Sequence, residues 1–310
     1  MKKFFLFIML AFFTSFVAYS QLPDFVFFES GPAGQNAKPL RSHADPQLTQ
    51  GLVDHLTKNR HWKKLIAEKK MSISLVDLKD PQHPRFASVN GNEMMYAASL
   101  PKIAVLLAAM EAIENEELKA TPEVKRDMRI MISKSSNQAA TRMIDRVGYE
   151  KIAKVLTHPK YRLYDENQGG GLWVGKKYAR SGKRNPDPMK GLSHAATSDQ
   201  VARFYYLMAN GLLVSPEKSS EMLEIMEGPE LHHKFVNTLN RLAPKATVFR
   251  KSGSWGTYHS DSALVQDEGW RNYILVALID DPNGEVICRE LVGVAENLLR
   301  STPSLQAGGR

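Results

Sequence analysis

The pattern of apolar and polar residues predicts strands at both ends of the chain and helices between them. Residues 71–77 (MSISLVD) alternate and residues 85–89 follow the turn-like KDPQHP, which is typical of two antiparallel strands. Three later runs, ATVFRKSGS, SDSALVQD and NYILVALIDD, are separated by turn residues and predict three more strands. A periodic segment from roughly Val286 to Leu299 predicts a closing helix.

Helical periodicity dominates the middle of the chain. We expect one helix from Asp45, before the first strands, and a long apolar helix opened by Ser99, in IAVLLAAMEAIENEEL. TPEVKRDMRIMIS, NQAATRMIDRVG and YEKIAKVLT predict three further helices, and Thr197 caps another. The periodicity disappears over about 160–194, which predicts a long irregular loop of the kind that is usually functional or disordered.

This order of elements predicts an α+β fold. Both ends of the chain would build one antiparallel sheet flanked by helices, and an all-helical subdomain would be inserted between them. We expect one domain over residues 46–300. The boundaries predicted along the chain are a signal peptide at 1–20, an extended lead-in at 21–45, the sheet part at about 46–96 and 245–300, the helical part at about 97–244, and a tail at 301–310.

The first twenty residues predict a secretory signal peptide. Lys2 and Lys3 precede the apolar run FFLFIMLAFF, and Ala18-Tyr19-Ser20 offers a cleavage site. The apolar run is short for a membrane span, which needs about 20 residues. We therefore expect a secreted or periplasmic protein with no stable membrane partner, and an uncleaved anchor is the alternative.

Charge, cysteine and histidine content narrow the possible partners. The formal net charge of +8 falls by two, to +6, when the two lysines of the signal peptide are removed. Apart from a denser patch at 176–184, the basic residues are spread out, with no nucleic-acid motif. Cys288 is the only cysteine, which excludes an intrachain disulfide. The histidines, His232-His233 included, lack metal-ligand spacing. We expect a monomer without metal, cofactor or nucleic acid.

Candidate chemistry lies where the long apolar helix begins, at Ser99-Leu100-Pro101-Lys102. A serine and a lysine three positions apart lie on the same side of a helix. An amine beside a hydroxyl can activate it as a nucleophile, and Pro101 suits a first helical turn. Taken alone, the motif is weak, and a serine that caps the helix explains it better.

Two further short motifs follow in the chain. They are Ser135-Ser136-Asn137, between helical segments, and Lys251-Ser252-Gly253, at the end of a predicted strand. With S-x-x-K in that order, they resemble the S-x-x-K, S-D-N and K-T-G signature of class A β-lactamases and penicillin-binding proteins. The resemblance covers roughly residues 45–300. It implies a β-lactamase/transpeptidase-like fold and a small β-lactam or peptidoglycan-peptide substrate.

The resemblance implies roles for the residues of the three motifs. Ser99 would be the nucleophile that forms an acyl-enzyme, and Lys102 would accept its proton if burial lowers the pKa of the amine. Ser135 would relay a proton to the leaving nitrogen, and Lys251 would attract the substrate carboxylate. Asn137 would hold the side-chain carbonyl of the substrate or orient Lys102.

The remaining implied site residues lie on the strand of the third motif. Ser252 replaces the usual threonine but keeps a hydroxyl, and Gly253 lets the strand approach the ligand closely. The backbone N–H groups of Ser99 and Ser254 would form the oxyanion hole. Trp255 follows directly, and it either walls the substrate site or packs into the core.

The sequence departs from the class A pattern in two further places. It contains no E-x-x-L-N segment, which supplies the glutamate that activates water for deacylation, and Ser136 stands where the family has aspartate. Glu166, in YDENQGGG, is the candidate substitute, although a loop-capping acid is its plainer interpretation. Three hypotheses remain open: a β-lactamase-like serine hydrolase, a D-Ala-D-Ala carboxypeptidase or penicillin-binding protein with slow deacylation, and a non-catalytic cell-wall binding module.

Overall fold

The computed structural model describes residues 38–301, and it combines a central antiparallel sheet with ten α-helices in this part of the chain. In chain order the strands are β1 (Met71–Asp77), β2 (Arg85–Val89), β3 (Met95–Tyr96), β4 (Tyr164–Asp165), β5 (Gly170–Gly171), β6 (Trp173–Val174), β7 (His194–Ala196), β8 (Thr247–Trp255), β9 (Tyr258–Gln266) and β10 (Asn272–Asp280). The helices are α1 (Pro46–Thr57), α2 (Arg60–Ala67), α3 (Lys102–Glu114), α4 (Pro122–Ser133), α5 (Asn137–Val147), α6 (Tyr149–Thr157), α7 (Ser198–Ala209), α8 (Pro216–Met226), α9 (Phe235–Leu242) and α10 (Gly284–Ser301).

The five long strands form the sheet in the order β2-β1-β10-β9-β8. All neighbours are antiparallel, and β1 pairs with β10 so that Met71 lies opposite Ile279. The first and last strands of the chain therefore lie side by side. This arrangement confirms the predicted α+β fold with a sheet built by both ends.

Helices cover both faces of the sheet. Along β10, Ile274 and Val276 belong to the core shared with α3 and α7, whereas Leu275 and Ala277 belong to a second core shared with α1 and α10. Successive side chains of a strand point to opposite faces. The run NYILVALIDD is therefore nearly continuously apolar because both of its faces are buried.

Helix α3 lies at the centre of the helical part. All its residues from Ile103 through Met110 are buried, and α4, α5, α6 and α8 pack around it. A helix that is apolar on every side is typical of a fully buried position. The S-x-x-K motif, which ends at the first residue of α3, follows Ala97, whose carbonyl accepts a hydrogen bond from Ser260 Oγ on β9.

The expectation that Ser99 opens or caps this helix is wrong. Helix α3 begins at Lys102, and no side chain caps its N-terminus. Residues 99–101 form a tight turn in which Lys102 N donates to Ser99 O at 3.3 Å. The chain arrives from β3 tied to β7 through Ala97 N and His194 O. It is then reversed at Ala98, whose φ is +51°, so Ser99 lies in the turn between sheet and helix.

The structure adds elements that the periodicity did not predict. Helices α2, α8 and α9 were not predicted, and short strands interrupt the loop at 160–194. Leu40, inside the expected lead-in, is buried within a 3-10 helix spanning Leu40–His43. The predicted signal peptide, most of the lead-in and residues 302–310 lie outside the described residues. Between residues 38 and 301, no helix is both long and apolar enough to cross a membrane.

Candidate active site

Ser99 and Lys102 lie side by side where α3 begins. The Nζ atom of Lys102 is 3.1 Å from Ser99 Oγ. It also donates to the carbonyl oxygen of Ser135 at 2.6 Å and to Asn137 Oδ1 at 2.8 Å. The lysine is fully buried, and this burial lowers its pKa to about 7 because a low-dielectric surrounding disfavours the ammonium. A substantial fraction of the amine is therefore neutral at physiological pH and able to accept a proton.

Ser135 connects this lysine to the third motif. It has a φ of +54°, an unfavourable left-handed conformation for a residue with a side chain. Its carbonyl faces Lys102, and its Oγ lies 3.3 Å from Lys102 Nζ and 2.8 Å from Lys251 Nζ. Strained backbone of this kind clusters at active sites when the surrounding contacts hold it in place. Here those contacts bring one hydroxyl between two amines.

The other two residues of the second motif have separate positions. Ser136 is the N-cap of α5, and its Oγ accepts a hydrogen bond from Ala139 N at 3.2 Å. Serine and aspartate cap helices about equally well, which explains why serine is acceptable here. Asn137 begins α5 and lines a cleft next to the motifs. Its Oδ1 accepts from Lys102, so its amide NH₂ is still available to a ligand.

Lys251 lies on β8, almost completely buried. Its Nζ donates to Ser135 Oγ and, at 2.6 Å, to Ser252 O. Burial, and after it the positive charge of Lys102, hold the pKa of Lys251 well below its ordinary value. Ser252 Oγ lies 3.2 Å from His233 Nε2. A carboxylate bound beside Lys251 would favour its charged form.

Gly253 is the point at which β8 touches the turn that bears Ser99. A Cβ atom added to Gly253 would lie 2.3 Å from Ala97 O and 2.6 Å from Ser99 N. Both distances are far below a normal contact, so only glycine fits without a shift of the backbone. The close approach brings the strand position of Ser254 next to the turn that carries Ser99.

Lys234 is a site residue that the sequence analysis missed. It is fully buried, and its Nζ donates to Gly253 O at 2.5 Å, Ser254 Oγ at 2.8 Å and Ser260 O at 3.0 Å. It therefore braces the β8–β9 pair behind the third motif. Burial lowers the pKa of Lys234, and the negative charge of Asp261, buried on β9, partly opposes this shift. No local pattern marks Lys234, and only its adjacency to His232-His233 distinguishes it in the sequence.

The candidate Glu166 and a second acid of the 160–194 loop, Asp187, form no side-chain hydrogen bond with the three motifs among the described residues. Glu166 is exposed in a short 3-10 helix. Asp187 is buried, where it accepts the Tyr164 hydroxyl and loop N–H groups. Across residues 38–301, no carboxylate forms a hydrogen bond or ion pair with Ser99 or Lys102. Instead, the ring of Tyr178 covers the lysine, its centroid 4.4 Å from Nζ.

The two tryptophans near the motifs differ in position. Trp173 is buried, and its Nε1 donates to Asn185 O at 2.7 Å, so it belongs to the core. Trp255 is 70% exposed and lines a cleft of about 930 Å³ that also reaches Asn137 and Tyr178. Trp255 is therefore available to contact a ligand in this cleft.

Other candidate centres do not assemble. Cys288 is buried, which raises the pKa of its thiol to about 12 and keeps it from acting as a nucleophile near neutral pH. In the part of the chain that the structure describes, no group of three or more His, Cys, Asp or Glu side chains could hold a metal ion. The residues of the three motifs, together with Lys234, therefore remain the candidate active site among the described residues.

Together, the fold and the Ser–Lys–Ser–Lys arrangement define the serine β-lactamase and penicillin-binding-protein superfamily. Residues 59–130 and 121–295 match a family model described as the beta-lactamase enzyme family. These segments span more than half of the sequence, so the chain belongs to the beta-lactamase enzyme family. No curated protein matches the sequence significantly.

Solved structures confirm the fold. A beta-lactamase from Sphaerobacter thermophilus DSM 20745 is 17% identical with a TM-score of 0.62, over 82% of this chain and 98% of that chain. PBP-A is 17% identical with a TM-score of 0.61, over 84% and 98% of the two chains. A class A beta-lactamase representative from Bacteroides cellulosilyticus DSM 14838 is 13% identical with a TM-score of 0.60, over 82% and 99%. The fold therefore extends over nearly all of each of these chains.

Proposed function

We propose that the protein is a serine acyl hydrolase that forms an acyl-enzyme on Ser99, with β-lactams or D-Ala-D-Ala peptides as substrates. The observation that carries this proposal is the 3.1 Å contact between Ser99 Oγ and Lys102 Nζ, together with a pKa of about 7 for that lysine. A general base is most effective when its pKa lies near the working pH.

In the proposed acylation, neutral Lys102 takes the hydroxyl proton as Ser99 Oγ attacks the substrate carbonyl. The carbonyl oxygen becomes an oxyanion, held by the N–H groups of Ser99 and Ser254. When the C–N bond breaks, Ser135 gives its hydroxyl proton to the leaving nitrogen and recovers one from the ammonium of Lys102. Both amines contact Ser135 Oγ, which supports this relay.

Substrate binding falls to residues on either side of the nucleophile. Lys251 and the hydroxyl of Ser252 would take the substrate carboxylate, because both lie at the third motif beside Ser135. The amide NH₂ of Asn137 would hold the carbonyl of the acyl side chain while its Oδ1 keeps Lys102 in position. Both alternatives for Asn137 are thus compatible with one orientation of its amide.

Release of the acyl group is proposed to be slow. Among the described residues, no carboxylate contacts Ser99 or Lys102 to activate water, and Tyr178 covers the lysine. This observation favours the second candidate, a penicillin-binding protein or D-Ala-D-Ala carboxypeptidase with a long-lived acyl-enzyme, over an efficient β-lactamase. Export by the predicted signal peptide and a monomeric state complete the proposal, because export would bring the enzyme to the cell-wall peptides.

Intact-protein mass spectrometry with benzylpenicillin tests this proposal. We expect the mature protein to gain the mass of one ring-opened penicillin and keep it for many minutes. Ser99→Ala should gain none, whereas Ser220→Ala, on α8 and outside the residues that line the cleft, should behave as the wild type. Rapid turnover without a lasting adduct would favour a β-lactamase. No adduct and no turnover in a folded protein would refute catalysis and leave a wall-binding module.

A further inference from the structure

The cleft beside the nucleophile lies on the acyl side of the proposed site. Asn137 and Trp255 line it, whereas Lys251 and Ser252, proposed to hold the substrate carboxylate, do not. Its volume of about 930 Å³ is at the upper end of the roughly 300–1,000 Å³ that small-molecule sites occupy. The cleft therefore has room for an acyl group larger than a single aromatic ring.

The charge of the cleft has one sign. Lys176, Lys177 and Arg180 line it from one loop, and none of its lining residues in the described part of the chain is acidic. Lys177 is ion-paired with Asp145. Lys176 Nζ donates only to the Arg180 carbonyl at 3.2 Å, and the guanidinium of Arg180 has no hydrogen-bond or ion-pair partner within residues 38–301. Two cations therefore remain uncompensated.

The rest of the wall is aromatic. Tyr96 and Tyr258 contact each other edge to face, with centroids 5.4 Å apart, and the exposed ring of Trp255 lies on the same cleft. Rings of this kind provide apolar contact area at a small cost in conformational entropy. An aromatic wall with cations at one side fits a ligand that is part apolar and part anionic.

We propose that this cleft selects substrates whose acyl side chain carries a carboxylate. The proposal rests on the proposed function, since the acyl group must be attached to Ser99 to lie there. Lys176 and Arg180 supply the anion contacts, and the tyrosines and Trp255 hold the remainder of the side chain. The preferred substrate is thus a dianion, with one carboxylate at Lys251 and a second one in the cleft.

Two penicillins that differ by one carboxylate test the proposal. Carbenicillin carries a carboxylate on its side chain, and benzylpenicillin lacks it. We expect the wild type to be acylated faster by carbenicillin, and the Lys176→Gln/Arg180→Gln variant to lower the ratio of the two rate constants by about 5- to 20-fold, as for two exposed ion pairs. Added salt should shrink the ratio in the wild type.

A matched variant separates local recognition from net charge. Lys183→Gln/Arg184→Gln removes two charges from the same loop at residues that do not line the cleft, and it should keep the wild-type ratio. An unchanged ratio in the Lys176/Arg180 variant would overturn the proposal. An equal fall in both variants would also overturn it, because the preference would then follow overall charge.

If the proposed function is wrong, neither penicillin will form an adduct with the wild type, and this result distinguishes that failure from failure of the cleft proposal. In that case the dianion phenylmalonate serves as a probe that needs no acylation, and its binding is followed by Trp255 fluorescence with Trp255→Phe as the blank. Weaker binding only in the Lys176→Gln/Arg180→Gln variant would support an anionic cleft. Equal binding by the wild type and both variants would overturn it.

Discussion

The rate of acylation at Ser99 should follow the protonation state of Lys102. Burial lowers the pKa of this lysine to about 7, and only its neutral form can accept the serine proton. The neutral fraction is half at that pH and falls about tenfold for each unit below it. The second-order acylation rate constant should therefore rise about 50-fold from pH 5 to pH 7 and level off above pH 8.

Stopped-flow measurements with a chromogenic cephalosporin between pH 5 and pH 9 give this profile, and circular dichroism at each pH checks the fold. Lys102→Ala should lower the rate constant by about 10²- to 10⁴-fold, the usual contribution of a general base, and the remaining rate should lose the step near pH 7. Lys134→Ala removes a lysine that is mostly exposed and should keep both the rate and the step.

Two results would refute this reasoning. A rate constant that is flat from pH 5 to pH 8 in the wild type would mean that no group with a pKa near 7 activates the serine. A step that persists in Lys102→Ala would assign the titration to another group, and Lys251, which shares Ser135 Oγ with Lys102, would be the first to examine.

Three further predictions concern stability and the oxyanion hole. The pKa of Lys102 in the folded protein lies below its value in the unfolded chain, so the charged ammonium destabilises the native state most at low pH. Between pH 7 and pH 9 the free energy of unfolding of the wild type should therefore rise by about 2 kcal/mol relative to that of Lys102→Met. Urea titrations of both proteins at the two pH values measure this difference. Gly253→Ala should lower the free energy of unfolding by about 1–3 kcal/mol and slow acylation, because the added methyl group would meet Ala97 O and Ser99 N. Gly293→Ala is the control, since a Cβ atom there meets open space, and it should be neutral or stabilising in the same urea titration. Lys234→Met should raise the ester carbonyl stretching frequency of the acyl-enzyme in infrared difference spectra. Its Nζ donates to Gly253 O and Ser254 Oγ, so its loss should weaken the hydrogen bond from Ser254 N–H to the ester carbonyl. An unchanged frequency would limit Lys234 to a structural role.

The long strands and the buried helix were predictable because the order of apolar and polar residues along the sequence alone indicates them. Alternation predicted β1 with its observed bounds, Met71–Asp77, and the three C-terminal runs contain β10 and most of β8 and β9. The motif residues were predictable because their chain order resembles a known signature. Ser99, Lys102, Ser135 and Lys251 do meet in space, within 3.3 Å for each hydrogen-bonded pair. Their catalytic roles remain proposals.

Residues placed by tertiary contacts could not be predicted. Lys234 and Tyr178 lie outside regular helices and strands and come from parts of the chain distant from the motifs they touch. The start of α3 was misplaced because the good helix formers run up to Ser99, whereas the pairing of Ala97 with β7 and the left-handed Ala98 hold residues 99–101 in a turn. Attachment of the chain to the sheet therefore outweighed the local helix propensity of these residues.

The pairing of β1 with β10 has a consequence for when the proposed active site can form. Met71 and Ile279 are about 200 residues apart in sequence, and contacts of such long range slow folding. Ser99 and Ser135 are synthesised well before Lys251, which takes its place only when β8 and β9 join the strand that closes the sheet. A nascent chain lacking its last quarter therefore lacks three of the five strands of the sheet, β8, β9 and β10, together with the third motif. Ser99, Lys102 and Ser135 can therefore meet Lys251 only after most of the chain has been synthesised.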